Sequence, residues 1–317
     1  MPRLSDRWRR LLRQAFLCLL CGAALSVVGV VGVIAPVHAA NLFVYCDRTL
    51  DLDAEQKNQL LHFAAAVRAQ LDQADASSAI ISRSAIDLER FHIRYSHAGF
   101  ALRTGGLGWT VRQLFYSCED EKPDIFDQGL AGFLINNDST TIPFVSLVFV
   151  PGVLGLEMHD AALDKTLALH LLGKQYSANA YAFSTQFQNC NQWLMEMLAF
   201  AWGHIDVDHA FRAAAQQWLR DSDYRPSDIH VQQRYLMWVS HVIPLIHNVD
   251  HPPANIADDL YQVSMPESIE DFIRRRDPRS RRVELCMHAG RIVIHQGWSP
   301  IADDCSPGPG DLSLSAG

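Results

Sequence analysis

What the chain lacks most clearly is a basic surplus. Its 317 residues hold 27 lysines and arginines against 35 acidic side chains, a net charge of −8. Five of those arginines, Arg3, Arg7, Arg9, Arg10 and Arg13, are crowded at the N-terminus. Setting aside residues 1–39 removes these five and Asp6, which leaves 22 basic residues against 34 acidic ones, a net of −12. A surface of that sign repels polyphosphate, so nucleic acid is excluded as a partner. No internal repeat is present, which excludes solenoid and propeller architectures. Low apolar content is absent too: 49% of residues are hydrophobic, enough for a sizeable core, and only the tail from Ser306-Pro307-Gly308-Pro309-Gly310 onward reads as flexible. The glycine-rich stretch Arg103-Thr104-Gly105-Gly106-Leu107-Gly108 is followed by no helical pattern, so it is a hairpin turn and not a phosphate cradle.

The clustered arginines precede an apolar run from about Ala15 to Ala35, and together they read as an export signal. Val37-His38-Ala39 presents small residues where a signal peptidase cuts, so residues 1–39 form a signal peptide. The run is also close to the roughly 20 residues a membrane-spanning helix needs, so an uncleaved inner-membrane anchor is the alternative. Cys18 and Cys21 belong to that apolar segment. The remaining chain divides into one α+β domain over 40–300, with helical additions at about 207–247, and a flexible tail over 301–317. Localisation follows as periplasmic.

Cysteine is sparse after export. Cys46, Cys118, Cys190, Cys286 and Cys305 remain, an odd number in an oxidising compartment, so one thiol stays free. Cys286 with Cys305, and Cys46 with Cys118, are the candidate disulfides, and Cys190 is the residue left over.

Apolar spacing predicts a helix over 52–71, a short strand over 79–82, and strands over 91–102 and 109–116 that form a hairpin. The stretch 124–133 reads as a compact turn or short helix, and 144–151 as a buried strand. A helix over 157–172 would be capped by Gly173, and a helix over 189–202 would stop at Gly203. Helices near 207–219 and 229–246 follow, and then a last hairpin of 283–287 with 291–295.

The chemistry centres on Gln188-Asn189-Cys190-Asn191-Gln192-Trp193. A cysteine in the first turn of a helix meets unpaired backbone N–H groups and the positive end of the helix dipole, both of which favour thiolate. The same N–H groups, at Asn189 through Asn191, could hold an oxyanion. A buried structural cysteine is the plainer reading, against which stand the polar flanks and the odd count. His97, in Ser96-His97-Ala98-Gly99, is the candidate base, with little bulk beside it. If the hairpin turn is centred near Gly105, Gln113 stands opposite His97 and could orient the imidazole. A one-residue slip would turn Gln113 away and leave Asp127 or Tyr95 as the orienting group.

A strand histidine that precedes a helix-capping Asn-Cys resembles the circularly permuted branch of the NlpC-type papain-like superfamily, to which lecithin:retinol acyltransferase-like proteins belong. More closely, Ser96-His97-Ala98-Gly99, Phe126-Asp127-Gln128-Gly129-Leu130 and Tyr176-Ser177-Ala178-Asn179-Ala180-Tyr181 through Asn189-Cys190-Asn191-Gln192-Trp193 resemble an exported bacterial family, domain of unknown function 2145. The resemblance implies an α+β fold with a permuted papain-like core: a small antiparallel sheet packed on the cysteine helix, extra C-terminal helices and a final hairpin. It implies Cys190 as nucleophile and His97 as base. No cofactor and no metal are expected. The expected activity is a cysteine hydrolase or acyltransferase acting on a cell-envelope peptide, lipid or lipoprotein.

Two other classes compete. A non-catalytic envelope binding or assembly domain could use the same fold. A metal-dependent hydrolase would use His204, Asp206, Asp208 and His209, although Asp206 or Asp208 more simply caps the next helix. His247 to His251 reads as a polar loop. The basic run Arg274-Arg275-Arg276 to Arg282, offset by Glu267, Glu270 and Asp271, reads as a solvated face.

Overall fold

The computed structural model describes residues 52–86, 88–105, 108–135, 142–231 and 245–316. The signal or anchor segment and Cys46 lie outside the described residues. Eight strands form one antiparallel sheet: β1 (Ser78–Arg83), β2 (His97–Thr104), β3 (Gly108–Ser117), β4 (Lys122–Gly129), β5 (Phe144–Phe149), β8 (Arg281–His288), β9 (Arg291–Gln296) and β10 (Leu312–Ser315). Their spatial order is β10-β9-β8-β5-β1-β2-β3-β4. A two-stranded ribbon pairs β6 (Ser227–His230) with β7 (Leu260–Val263). The architecture is α+β, with a sheet far larger than the small one expected. Long-range pairing enlarges it: β1 and β5 stand in the middle, and the C-terminal strands extend the β5 side.

The run 144–149 is buried at every position because it is covered on both faces, and so is β1. One face carries Ala79, Ile81, Ala101, Val111, Leu147 and Leu285 against α1 (Ala54–Gln73) and α2 (Leu130–Ile135). Asp53 starts α1 with a capping box, accepting from the Gln56 N–H while the Gln56 side chain accepts from the Asp53 N–H. The other face carries Ile80, Ala98, Phe100, Leu114 and Val148 against α5 (Cys190–Gly203). Around α5 stand α3 (Gly152–Leu163), α4 (Lys165–His170), α6 (Phe211–Asp221) and α8 (Pro266–Arg276); α7 (Pro253–Ala257) precedes β7.

Several expectations change. The stretch 124–133 is mostly strand, because its residues complete a ladder with β3 from Thr110↔Gly129 to Ser117↔Lys122. The helix expected over 157–172 is two helices, broken where Asp164 caps the second through the N–H groups of Thr166 and Leu167. Neither glycine is a cap. A Cβ at Gly203 would lie 2.7 Å from Trp218 Nε1, and one at Gly173 would lie 2.9 Å from Gln188 Cβ, so both mark close approaches; His204 takes the left-handed cap position after α5. Residues 227–230 are a strand, while 232–244 of the helix expected over 229–246 lie outside the described residues. The final hairpin turns at Ala289-Gly290, both at positive φ as a two-residue type I′ turn requires.

The segment over 301–316 is no loose tail. Cys305 is disulfide-bonded to Cys286, β10 adds the sheet's last strand on β9, and Ala316 is fully buried with its N–H donating to Gly290 O. Among the described residues no helix is long and apolar enough to cross a membrane.

Candidate active site at the start of the cysteine helix

Asn189 caps α5, its side chain accepting from the Gln192 N–H at 2.7 Å, and places Cys190 at the first helical position. Two contacts dock that helix start on the chain entering β2, and one more lies within the helix turn itself. Asn191 Nδ2 donates to Ser96 O at 3.2 Å, and the backbone N–H groups of Asn191 and Ala98 both serve the Cys190 sulfur. The Ala98 N–H is available for a structural reason. The β2–β3 ladder runs from Thr104↔Gly108 to Phe100↔Arg112 and stops, although both strands continue. Past Phe100 no further β2–β3 pair forms, and the Ala98 N–H serves the Cys190 sulfur.

Cys190 is the free cysteine among the described residues, and Cys118 is disulfide-bonded to a partner outside them. With 5% of its surface exposed, Cys190 is inside the core. Burial pushes its thiol up to about 12, opposed by the N–H groups of Asn191, Ala98 and Cys190 itself and by the charge of Arg83. The helix terminus acts as expected, and desolvation outweighs it.

His97 is equally buried, at 4% exposed. Its ring packs against Phe133 and Phe115, on the α1 face of the sheet, and Arg83 stands directly across from it on β1. Burial first, and then the Arg83 charge, lowers its pKa to about 3, against a small upward pull from Gln113. His97 Nε2 is hydrogen-bonded to Gln113 Oε1. Gln113 Nε2 donates to Gln128 Oε1 at 2.7 Å, which fixes the amide with its oxygen toward the ring. An oxygen can only accept, so the imidazole proton is on Nε2 and the lone pair is on Nδ1.

The register differs from the expected one. Extended past Phe100↔Arg112, it sets Phe115 across from His97, and Gln113 reaches the ring from the diagonal position. The alternative orienting groups are occupied elsewhere. Asp127 forms a two-point pair with Arg112, both contacts at 2.7 Å, which lowers its pKa. The Tyr95 hydroxyl donates to Glu284. No hydrogen bond joins Cys190 to His97 directly; the two flank the strand start from different sides, and Arg83 acts on both.

Arg83, Gln128 and Glu196 were not singled out by sequence reasoning. Glu196 had a visible signal, a carboxylate on the apolar side of the cysteine helix. It is fully buried and accepts from Arg212, Gln216 Nε2 and Gln188 Nε2, at 2.7 to 3.2 Å. Arg212 also donates to the carbonyls of Ser184, Thr185 and Phe187, so this network ties the chain that leads into Cys190 to α5 and α6. The loop 247–251 grips the same approach: Asp250 accepts from the Tyr181 N–H and His251 Nε2 donates to Asn179 O.

The competing metal residues disperse. His204 is exposed with Glu157 Oε1 at 3.5 Å, and His209 bonds only its neighbour Asp208. Ala210, not an aspartate, precedes α6. Among the described residues no three His, Cys, Asp or Glu side chains are grouped as a metal would need. Arg282 is also no part of a solvated face; it is buried between Glu270 and Glu284.

No curated protein and no solved structure matches the chain. A family model described as "Uncharacterized protein conserved in bacteria (DUF2145)" matches residues 70–273. That span includes His97, Gln113 and Cys190 and exceeds half of the 317 residues: the chain belongs to this bacterial family.

Proposed function

We propose that the protein is an exported cysteine hydrolase or acyltransferase that acts on an amide or ester bond of a cell-envelope peptide, lipid or lipoprotein. One observation carries the reading. Where the β2–β3 ladder stops, a helix-start thiol takes the N–H of Ala98, the residue next after a histidine whose Nε2 is tied to a glutamine amide, leaving Nδ1 as the basic nitrogen. This is the logic of a nucleophile, a base and an orienting third group. A helix-borne cysteine packed on an antiparallel sheet, with the histidine on an upstream strand, also supports a permuted papain-like core. The Cys286–Cys305 disulfide and the disulfide-bonded Cys118 support an oxidising compartment, and so export to the periplasm.

Both groups rest neutral, so the step proceeds without a preformed ion pair. As Sγ attacks the carbonyl carbon, its proton passes to Nδ1 of His97 and the carbonyl electron pair moves to oxygen. Collapse expels the amine or alcohol, which takes the proton from His97. Water, or an acceptor amine, then resolves the thioester and regenerates the thiol. Because the thiol is buried and the His97 ring rests on the other side of the strand, substrate binding must open this end of the β2–β3 pair and bring Nδ1 to the thiol.

The test is to incubate the full chain with envelope extract and search the Cys190 peptide for an acyl mass released by hydroxylamine. The adduct is expected in the parent protein and lost in His97→Ala. An absent adduct, or an equal one in His97→Ala, overturns the assignment. Burial of the thiol favours a second reading, a non-catalytic envelope binding or assembly domain, and that reading predicts no adduct.

A further inference from the structure

At the β10 edge of the sheet, β9, four strands away from β2, and the segment after it hold three residues in a sequence of contacts of their own. His295 and Asp311 fall opposite each other when the β9–β10 register is extended one step from Ile294↔Leu312. His295 Nδ1 lies 2.6 Å from Asp311 Oδ1, and Ser299 Oγ lies 2.9 Å from His295 Nε2. A carboxylate only accepts, so the ring proton is on Nδ1, and Nε2 accepts from the Ser299 hydroxyl. The Asp311 side chain is itself buried and is held from behind by the Gly308 N–H, donating to Oδ2 at 2.7 Å. Gly297 makes room for the ring: at φ 142° it takes a conformation that side chains avoid, and a Cβ there would lie 3.1 Å from Nε2.

These residues border a cavity of about 470 Å³ whose remaining walls include Pro300, Ile301, Pro307 and Pro309. We propose that Ser299, His295 and Asp311 form a second hydrolytic site, a serine esterase centre specific for small neutral acyl esters with good leaving groups. The nucleophile is activated by an imidazole oriented by a carboxylate, the arrangement recognised by geometry and not by sequence order. The apolar walls and the lack of lysine or arginine among the lining residues select an uncharged acyl group. The leaving group is limited by Pro300. A proline has no N–H, so the donor that often follows a nucleophile is missing here, and losing one such donor costs about 10²–10³ in rate. Amides are therefore poor substrates.

In the reaction the Ser299 Oγ–H proton passes to His295 Nε2 as oxygen bonds the carbonyl carbon. The ester C–O bond then breaks and the proton goes to the departing alcohol or phenol. Water attacks the acyl-serine, again with proton transfer through Nε2, and releases the carboxylic acid. This site lies outside the family-matched residues and rests on no part of the cysteine proposal.

The probes are a fluorophosphonate label and 4-nitrophenyl acetate, applied to the full chain in a Cys190→Ala background so that the thiol cannot contribute. The adduct is expected on Ser299 by peptide mass spectrometry, and hydrolysis should fall at least tenfold in Ser299→Ala and in Asp311→Asn. Ser299 is exposed, so Ser299→Ala should keep the parent melting temperature. No adduct, an adduct on another residue, or unchanged hydrolysis in Ser299→Ala overturns the site. A hydrogen-bond chain that only fastens β10 would leave Ser299 as inert as any surface serine.

Discussion

His97 Nε2 is bonded to Gln113 Oε1 although Phe115, not Gln113, stands across from it in the sheet register. The contact depends on the diagonal reach of a long amide and on Gln128, which holds that amide in one orientation. Replacing Gln113 with leucine should leave the fold intact and lower turnover by roughly 10²-fold, the lower end of what a positioned base supplies. Gln113→Glu should instead raise the imidazole pKa from about 3, because a carboxylate favours imidazolium. An NMR titration of the His97 ring reads the shift; an unmoved pKa would show that Gln113 does not govern the ring.

His97 and Cys190, both buried, set opposite limits on stability. His97 is held at about 3 in the folded state against an ordinary 6.5, so its contribution is full above pH 6.5 and is lost as pH falls toward 3. Cys190 is held near 12 against an ordinary 9.0, so its contribution is full below pH 9 and is lost as pH rises toward 12. Each limb has a slope of up to about 1.4 kcal/mol per pH unit. Urea unfolding should give a plateau between these limits, and His97→Gln should flatten the acid limb. An acid limb of equal slope in that variant would assign the effect to other groups.

Arg212→Met strands the Glu196 carboxylate in the core and should cost about 3–5 kcal/mol. Adding Glu196→Gln removes the unpaired charge and should recover part of the loss, though the carbonyls of Ser184, Thr185 and Phe187 still lack their donor. Denaturant midpoints of the two variants test the pair; equal midpoints would mean Glu196 is already neutral when folded.

Gly99→Ala should destabilise by about 1–3 kcal/mol, since the new Cβ would lie 2.8 Å from the Arg112 carbonyl oxygen, a backbone atom that cannot yield. Gly132→Ala is the control. Its nearest neighbour is the Gln128 side chain at 3.8 Å, and alanine favours the helix. Thermal melts that rank the two the other way would contradict this account of the β2–β3 junction.

Local pattern made much of this site legible. The helix start at Cys190 follows from Asn189 and the apolar spacing behind it, and a turn near Gly105 was enough to bring Gln113 to His97 even with the register two residues away, because a shift of two keeps Gln113 on the same face. What stayed hidden depends on partners distant in sequence. Phe126 and Asp127 look like turn residues until β3 is there to pair with them. Gly173 and Gly203 look like caps until Gln188 and Trp218 arrive against them. Ser299, His295 and Asp311 are ordinary polar residues unless the proline-rich tail folds back along β9.

The place of β5 bears on how the protein can be divided. It is buried on both faces and hydrogen-bonded on one side to β1 and on the other to β8, which is more than 130 residues later in the chain. A fragment trimmed to the family-matched residues 70–273 would omit β8, β9 and β10. It would present a flat, greasy strand with a full row of unpaired amides and carbonyls, a ready template for association between copies. Such a piece should precipitate where the whole chain stays in solution.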